Sequence, residues 1–117
     1  MDKSDFLNTL KSFRTEIAGL KNEINVVKNK QIHSKTLRQK IEVIATIWFD
    51  KIESTLRHHY SIDSKILDRC HDLFGKLVES STIIPSKSVV LTLLQDTEKA
   101  ISSELIVHVL KFQTEIK

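Results

Sequence analysis

The sequence predicts an all-α fold: an antiparallel four-helix bundle of long helices forming a single domain over residues 1–117. Three observations predict it. The 117 residues hold only two glycines and one proline, where average usage gives roughly a dozen or more. Sandwiches, barrels and phosphate-cradling α/β folds need far more of both. Apolar residues recur at steps of three and four, the period of a helix face. The one β-branched run, Leu105 to Leu110, has no second strand to pair with. Hydrophobic residues make up 40% of the chain, enough for a core at this length without disulfides or metals.

The first helix is expected over about residues 5–30, with Ser4 as cap and Asp5 in the positive first turn. Phe6, Leu10, Phe13, Ile17, Leu20, Ile24 and Val27 follow at alternating steps of four and three, a heptad rhythm. With Leu10, Ile17 and Ile24 at a, Glu16 and Glu23 fall at g, and Lys21 and Lys28 at e. A parallel pairing of two copies sets Glu16 against Lys21 and Glu23 against Lys28. The stripe therefore has two readings. One is a coiled-coil interface, with Leu10, Phe13, Ile17, Leu20 and Ile24 as anchors and Glu16, Lys21, Glu23 and Lys28 as flanking charges. The other is the inner face of this chain's own bundle.

Lys28 to Thr36 offers only Ile32 to a core, while Asn29 and Ser34 suit a turn and a new cap. The second helix is expected over about 35–60, with a broad face of Leu37, Ile41, Ile44, Ala45, Trp48, Ile52 and Leu56. No glycine or proline stands between Gly19 and Gly75, so fusion of the first two helices into one long helix is the alternative. Gln31, Ser34 and Arg38 on the shared seam favour the hairpin. The third helix, about 64–80, is capped by Asp63, with Ile62 and Leu67 at the spacing of a hydrophobic staple. Its face is Ile66, Leu67, Cys70, Leu73, Phe74, Leu77 and Val78. A loop containing Pro85 leads to the fourth helix, about 87–116, whose face is Val89, Val90, Leu93, Leu94, Ile101, Leu105, Val109, Phe112 and Ile116. Ser102-Ser103 is its weak point.

The formal net charge is +3, unevenly placed. Residues 1–60 hold eleven Lys/Arg against seven Asp/Glu, and residues 61–117 seven against eight. Residues 21–40 hold six basic residues against Glu23 alone. Lys28, Lys30, His33, Lys35, Arg38 and Lys40 thus surround one predicted turn, and such a cluster attracts phosphates. No aromatic residue is interleaved, so stacking on single-stranded bases is not indicated. A solvated turn is the plain alternative.

Cys70 is the lone cysteine, which excludes an internal disulfide and a Cys-rich zinc site and points to a reducing cytoplasm. The polar start, Met1 to Asp5, gives no secretory leader, and no apolar run approaches membrane-spanning length. Arg57-His58-His59 ends the second helix, where cations suit the helix dipole. Asp68 and His71 stand at the i, i+3 spacing of carboxylate-bridged metal bundles, but those sites need two such motifs and further inward carboxylates. A thiol in an apolar stripe, as at Cys70, is inert. Phe49 beside Trp48 is either a surface anchor or the edge of a wide buried face.

The expected protein is therefore non-enzymatic: a cytoplasmic interaction subunit or adaptor, working with a protein partner or as a homo-oligomer through the first helix. It has no evident catalytic residue, metal, cofactor, small-molecule substrate or membrane partner. The alternative is a nucleic-acid-binding accessory protein that sets Lys28, Lys30, Lys35, Arg38 and Lys40 on phosphates.

Overall fold

A computed structural model of the chain describes residues 2–112. Four helices account for nearly all of them. α1 is Lys3–Asn25. α2 runs through Lys35–Ile47, a π-helical turn at Trp48–Ile52, and Glu53–His59. α3 is Ser64–Ser81. α4 runs through Lys87–Ala100, a second π-helical turn at Ile101–Leu105, and Ile106–Lys111. Each helix packs on its sequence neighbours, and α4 closes back on α1. Phe6 at the start of α1 stacks on Tyr60 beyond the end of α2. Glu23 near the end of α1 pairs with Lys40 near the start of α2. Arg57 of α2 reaches Asp68 of α3, and Arg69 of α3 pairs with Glu104 of α4. The bundle is antiparallel throughout, with short connections.

The first helix differs from expectation at both ends. Asp2, not Ser4, is the cap: its carboxylate accepts from the Asp5 amide at 2.8 Å, so the helix begins at Lys3. It stops at Asn25 rather than near residue 30. No glycine ends it. The Lys87 ammonium, from the start of α4, donates to the carbonyls of Asn25 and Val27 at 2.9 and 2.6 Å. Those carbonyls lie beyond the last helical partner and need a donor. Residues 26–34 then leave the helix, Asn29 turns the chain by accepting from the Gln31 amide, and Ser34 caps α2 at the Leu37 amide. The first two helices are therefore a hairpin. Asp63 caps α3 as expected, accepting from the Lys65 amide. The expected tail of the fourth helix, including Ile116, lies outside the described residues.

The heptad face of α1 is the inner face of this bundle. Leu10, Ile17 and Ile24 are fully buried, and Phe13 and Leu20 nearly so. The reading of these five as intermolecular anchors is corrected accordingly, because an internal helix face and a coiled-coil seam share one period. At mid-height Phe74 stacks on Trp48 and touches Phe13, with centroids 4.7 and 5.7 Å apart. Val89, expected in the core, is exposed instead, while Val90 beside it is buried.

The two π-turns have a sequence cause. Trp48, Ile52, Leu56 and Tyr60 are all buried at four-residue steps, and so are Thr97, Ile101, Leu105 and Val109. In an α-helix with 3.6 residues per turn, each such step rotates about 40° away from the core. A turn closed by i→i+5 bonds takes up one extra residue and brings the row back. Ser102-Ser103 therefore marks a widened turn, not a break.

Two stability measurements follow. Ile17→Asp places an unpaired charge in the core and is expected to unfold the monomer, at a cost of about 4 kcal/mol or more; a urea titration followed by circular dichroism reads it. Retained native stability with lost self-association would contradict the internal face. A Cβ added at Gly19 meets nothing within 4 Å, so Gly19→Ala is expected to stabilise by about 0.5–1 kcal/mol in the same titration.

Candidate docking surface at the loop end

Antiparallel topology brings the 26–34 and 82–86 connections to one end of the bundle. A single antiparallel bridge, Gln31 to Ser86, joins them. The Ile32 amide donates to the Pro85 carbonyl at 2.9 Å, and the Lys87 amide to the Lys30 carbonyl at 2.8 Å. Ile32 and Pro85 are buried beneath it. Together with the Lys87 ammonium on α1, these bonds make two loops into one surface.

That surface carries apolar side chains in water. Val26 is 77% exposed, Ile83 62%, Val89 51% and Ile84 47%. These four stand at one end of the molecule, and of the other large apolar residues exposed among those described, Val43, Val107 and Leu110, two lie toward the opposite end. Ile83 and Val89 line one recess, and exposed apolar groups that share a surface often mark an interaction site. A groove of about 640 Å³ opens beside them between the end of α3 and the start of α4, lined by Ile83, Val89 and Leu93 together with Lys76 and Glu79.

The basic junction lies on the same end, but its members differ. Lys28, Lys30 and Lys35 are exposed, and their ammonium groups have no hydrogen-bond or ion-pair partner among the described residues. Arg38 is spent on the loop itself, donating to the Ile32 and His33 carbonyls at 3.2 and 2.7 Å. Lys40 is spent on Glu23 at 2.9 Å. The flanking charges assigned to the α1 seam are dispersed too: Lys21 pairs with Glu98 of α4 at 3.1 Å, Glu23 with Lys40, and Glu16 stays exposed.

The other chemistry-bearing groups are bound to one another. Glu53, on α2, accepts from Trp48 Nε1 at 2.8 Å, His71 Nδ1 at 2.9 Å and Arg57 Nε at 3.2 Å. Burial works against its carboxylate, but these donors outweigh it and hold its pKa below the ordinary 4.5. Asp68 faces Arg57, while His71 faces Glu53, so the two do not converge on an ion. No group of three metal-ligating side chains is assembled among the described residues. Phe49 is half-buried, edge-on to His71 at 5.0 Å. Burial pushes the Cys70 thiol up to about 11, where it carries no thiolate at neutral pH.

Sequence reasoning missed Val26, Ile83, Ile84 and Lys87. One signal was present: two isoleucines immediately before Pro85, in a connection that should be polar. With the geometry in hand, comparison with known proteins adds nothing further: no protein-family model, curated protein or solved structure matches the chain.

Glu53 also sets an acid limit. Its folded pKa is lowered, so its contribution to stability is complete above 4.5 and is lost as pH falls through the lower folded value. Trp48 is the only tryptophan and bonds directly to Glu53, so its fluorescence is expected to report that protonation below pH 4.5. Glu53→Gln should abolish the transition; an unchanged titration in the variant would detach Glu53 from it.

Proposed function

We propose that the chain is a non-enzymatic interaction module that holds an acidic protein partner on the loop end of its bundle. One observation carries this reading: exposed Val26, Ile83, Ile84 and Val89 share one rigidly bridged end with unpaired Lys28, Lys30 and Lys35. Apolar side chains supply binding energy when covered. The lysines choose the sign of what covers them and speed its approach. The bridge holds the two loops in place beforehand, so little ordering is needed on binding. The engagement of Glu53, Arg57, Asp68, Arg69, His71 and Glu104 with one another supports a structural use of the charged groups rather than a catalytic one.

The nucleic-acid reading rests on a smaller base than the sequence suggested. Of Lys28, Lys30, Lys35, Arg38 and Lys40, three keep free ammonium groups. Phosphate binding through those three predicts a log–log salt slope of about −2 to −3.

A photo-cross-linking residue at position 84, in cells that make the protein, separates the two readings. The expected product is one adduct of discrete mass that resists nuclease and disappears when Lys28, Lys30 and Lys35 are changed to Glu. The same residue at position 43, on the α1–α2 side, should give none. A nuclease-sensitive adduct would assign the surface to nucleic acid, and equal labelling from both positions would remove the loop end as the site.

A further inference from the structure

We infer that the partner presents an amphipathic α-helix with an acidic flank, and that this helix lies in the groove between α3 and α4. The inference rests on the interaction reading above and adds the shape of what is bound. The groove holds about 640 Å³, within the range that seats a set of side chains. Val89 and Leu93 stand one turn apart where α4 lines it, and Ile83 also lines it. Leu93 is nearly buried and forms floor; Val89 and Ile83 are exposed and form walls. Residues 83–93 span the loop and about two helical turns, which matches two or three anchors at i, i+3 or i+4, and i+7.

Other peptide shapes fit less well. Strand addition needs an open sheet edge, and the only bridge among the described residues already uses its amides and carbonyls. Extended proline-rich segments need aromatic walls, and none of the groove's lining residues is aromatic. A membrane surface would wet Ile83 and Ile84 at the tip, but has no use for a recess between two helices. Charge sets the flank. Lys76 lines the groove, and Lys30 lines the neighbouring recess that shares Ser88 with it. Glu79 is the one carboxylate among the groove's lining residues. A helix with Asp or Glu beside its apolar stripe complements that field.

The test is a selection from a random peptide display library on the whole protein, with the enriched peptides then titrated against Thr92→Trp. Thr92 is exposed and lines the groove, so tryptophan there fills the groove from outside the core. Val89→Asp, also at an exposed position, is the second blocking variant, and melts followed by circular dichroism confirm that both fold. Enriched peptides are expected to carry apolar residues at helical spacing with Asp/Glu beside them, and to gain helicity on binding. They should bind each blocking variant at least tenfold more weakly, and Lys76→Glu severalfold more weakly. Enriched peptides with an alternating or lysine-rich pattern would overturn the inference. Enriched peptides that lose binding to the Lys28, Lys30 and Lys35 charge reversals but not to Thr92→Trp would overturn the groove and leave the loop end standing. No enrichment, with sedimentation on phosphatidylserine vesicles but not on phosphatidylcholine vesicles, would overturn both in favour of a membrane.

Discussion

A helix end leaves carbonyls without donors, and this bundle settles that shortfall between two helices at once. Lys87, at the start of α4, donates to the carbonyls that end α1. Lys3, at the start of α1, donates to the carbonyls of Leu110 and Phe112 that end α4. Each cation also meets the negative end of the partner helix's dipole. The α1–α4 pair is thereby closed at both ends without a capping glycine. Lys87 holds the carbonyls where α1 ends at Asn25, and residues 26–34 then turn and bridge Ser86. The loop-end surface depends on that arrest; had α1 run on, Val26, Lys28 and Lys30 would lie on a helix flank, separated from Ile83 and Ile84.

Much of this was legible in the sequence. The four helices, the hairpin at Ser34 and the cap at Asp63 follow from local spacing and local chemistry, which neighbouring residues express on their own. The destination of the α1 stripe was not legible, because period alone does not say whose helices cover Leu10 and Ile17. The π-turns were within reach: two rows of buried residues at successive four-residue steps do not fit an uninterrupted α-helix. The loop end was hardest. Its bridge joins residues far apart in sequence, and Lys87 reads as an ordinary first-turn lysine until its partner carbonyls are known.

The charge pattern needed similar correction. Residues 21–40 look like one basic field, yet Lys21, Arg38 and Lys40 spend their charge or their donors inside the fold. What remains is narrower and better placed: three free lysines beside apolar side chains rather than a diffuse cationic stripe. Counting charges along the chain measures supply; the structure shows allocation. The Glu53 cluster has the same lesson in the opposite sense. Asp68 and His71 share a metal-bundle spacing in the sequence, and in the fold they tie α3 to α2 near the wide turn at Trp48, through Arg57 and Glu53.

The up-down-up-down path has a practical consequence for how this molecule is handled. Lys3 touches Phe112, so both ends of the described chain emerge together, a full helix length from Ile83 and Ile84. A tag, a fluorophore or a solid support attached at either end therefore leaves the opposite pole facing outward. The bundle acts as a short pedestal with a defined orientation, and a tandem or tethered arrangement made through its ends would display the bridged loops at its tip.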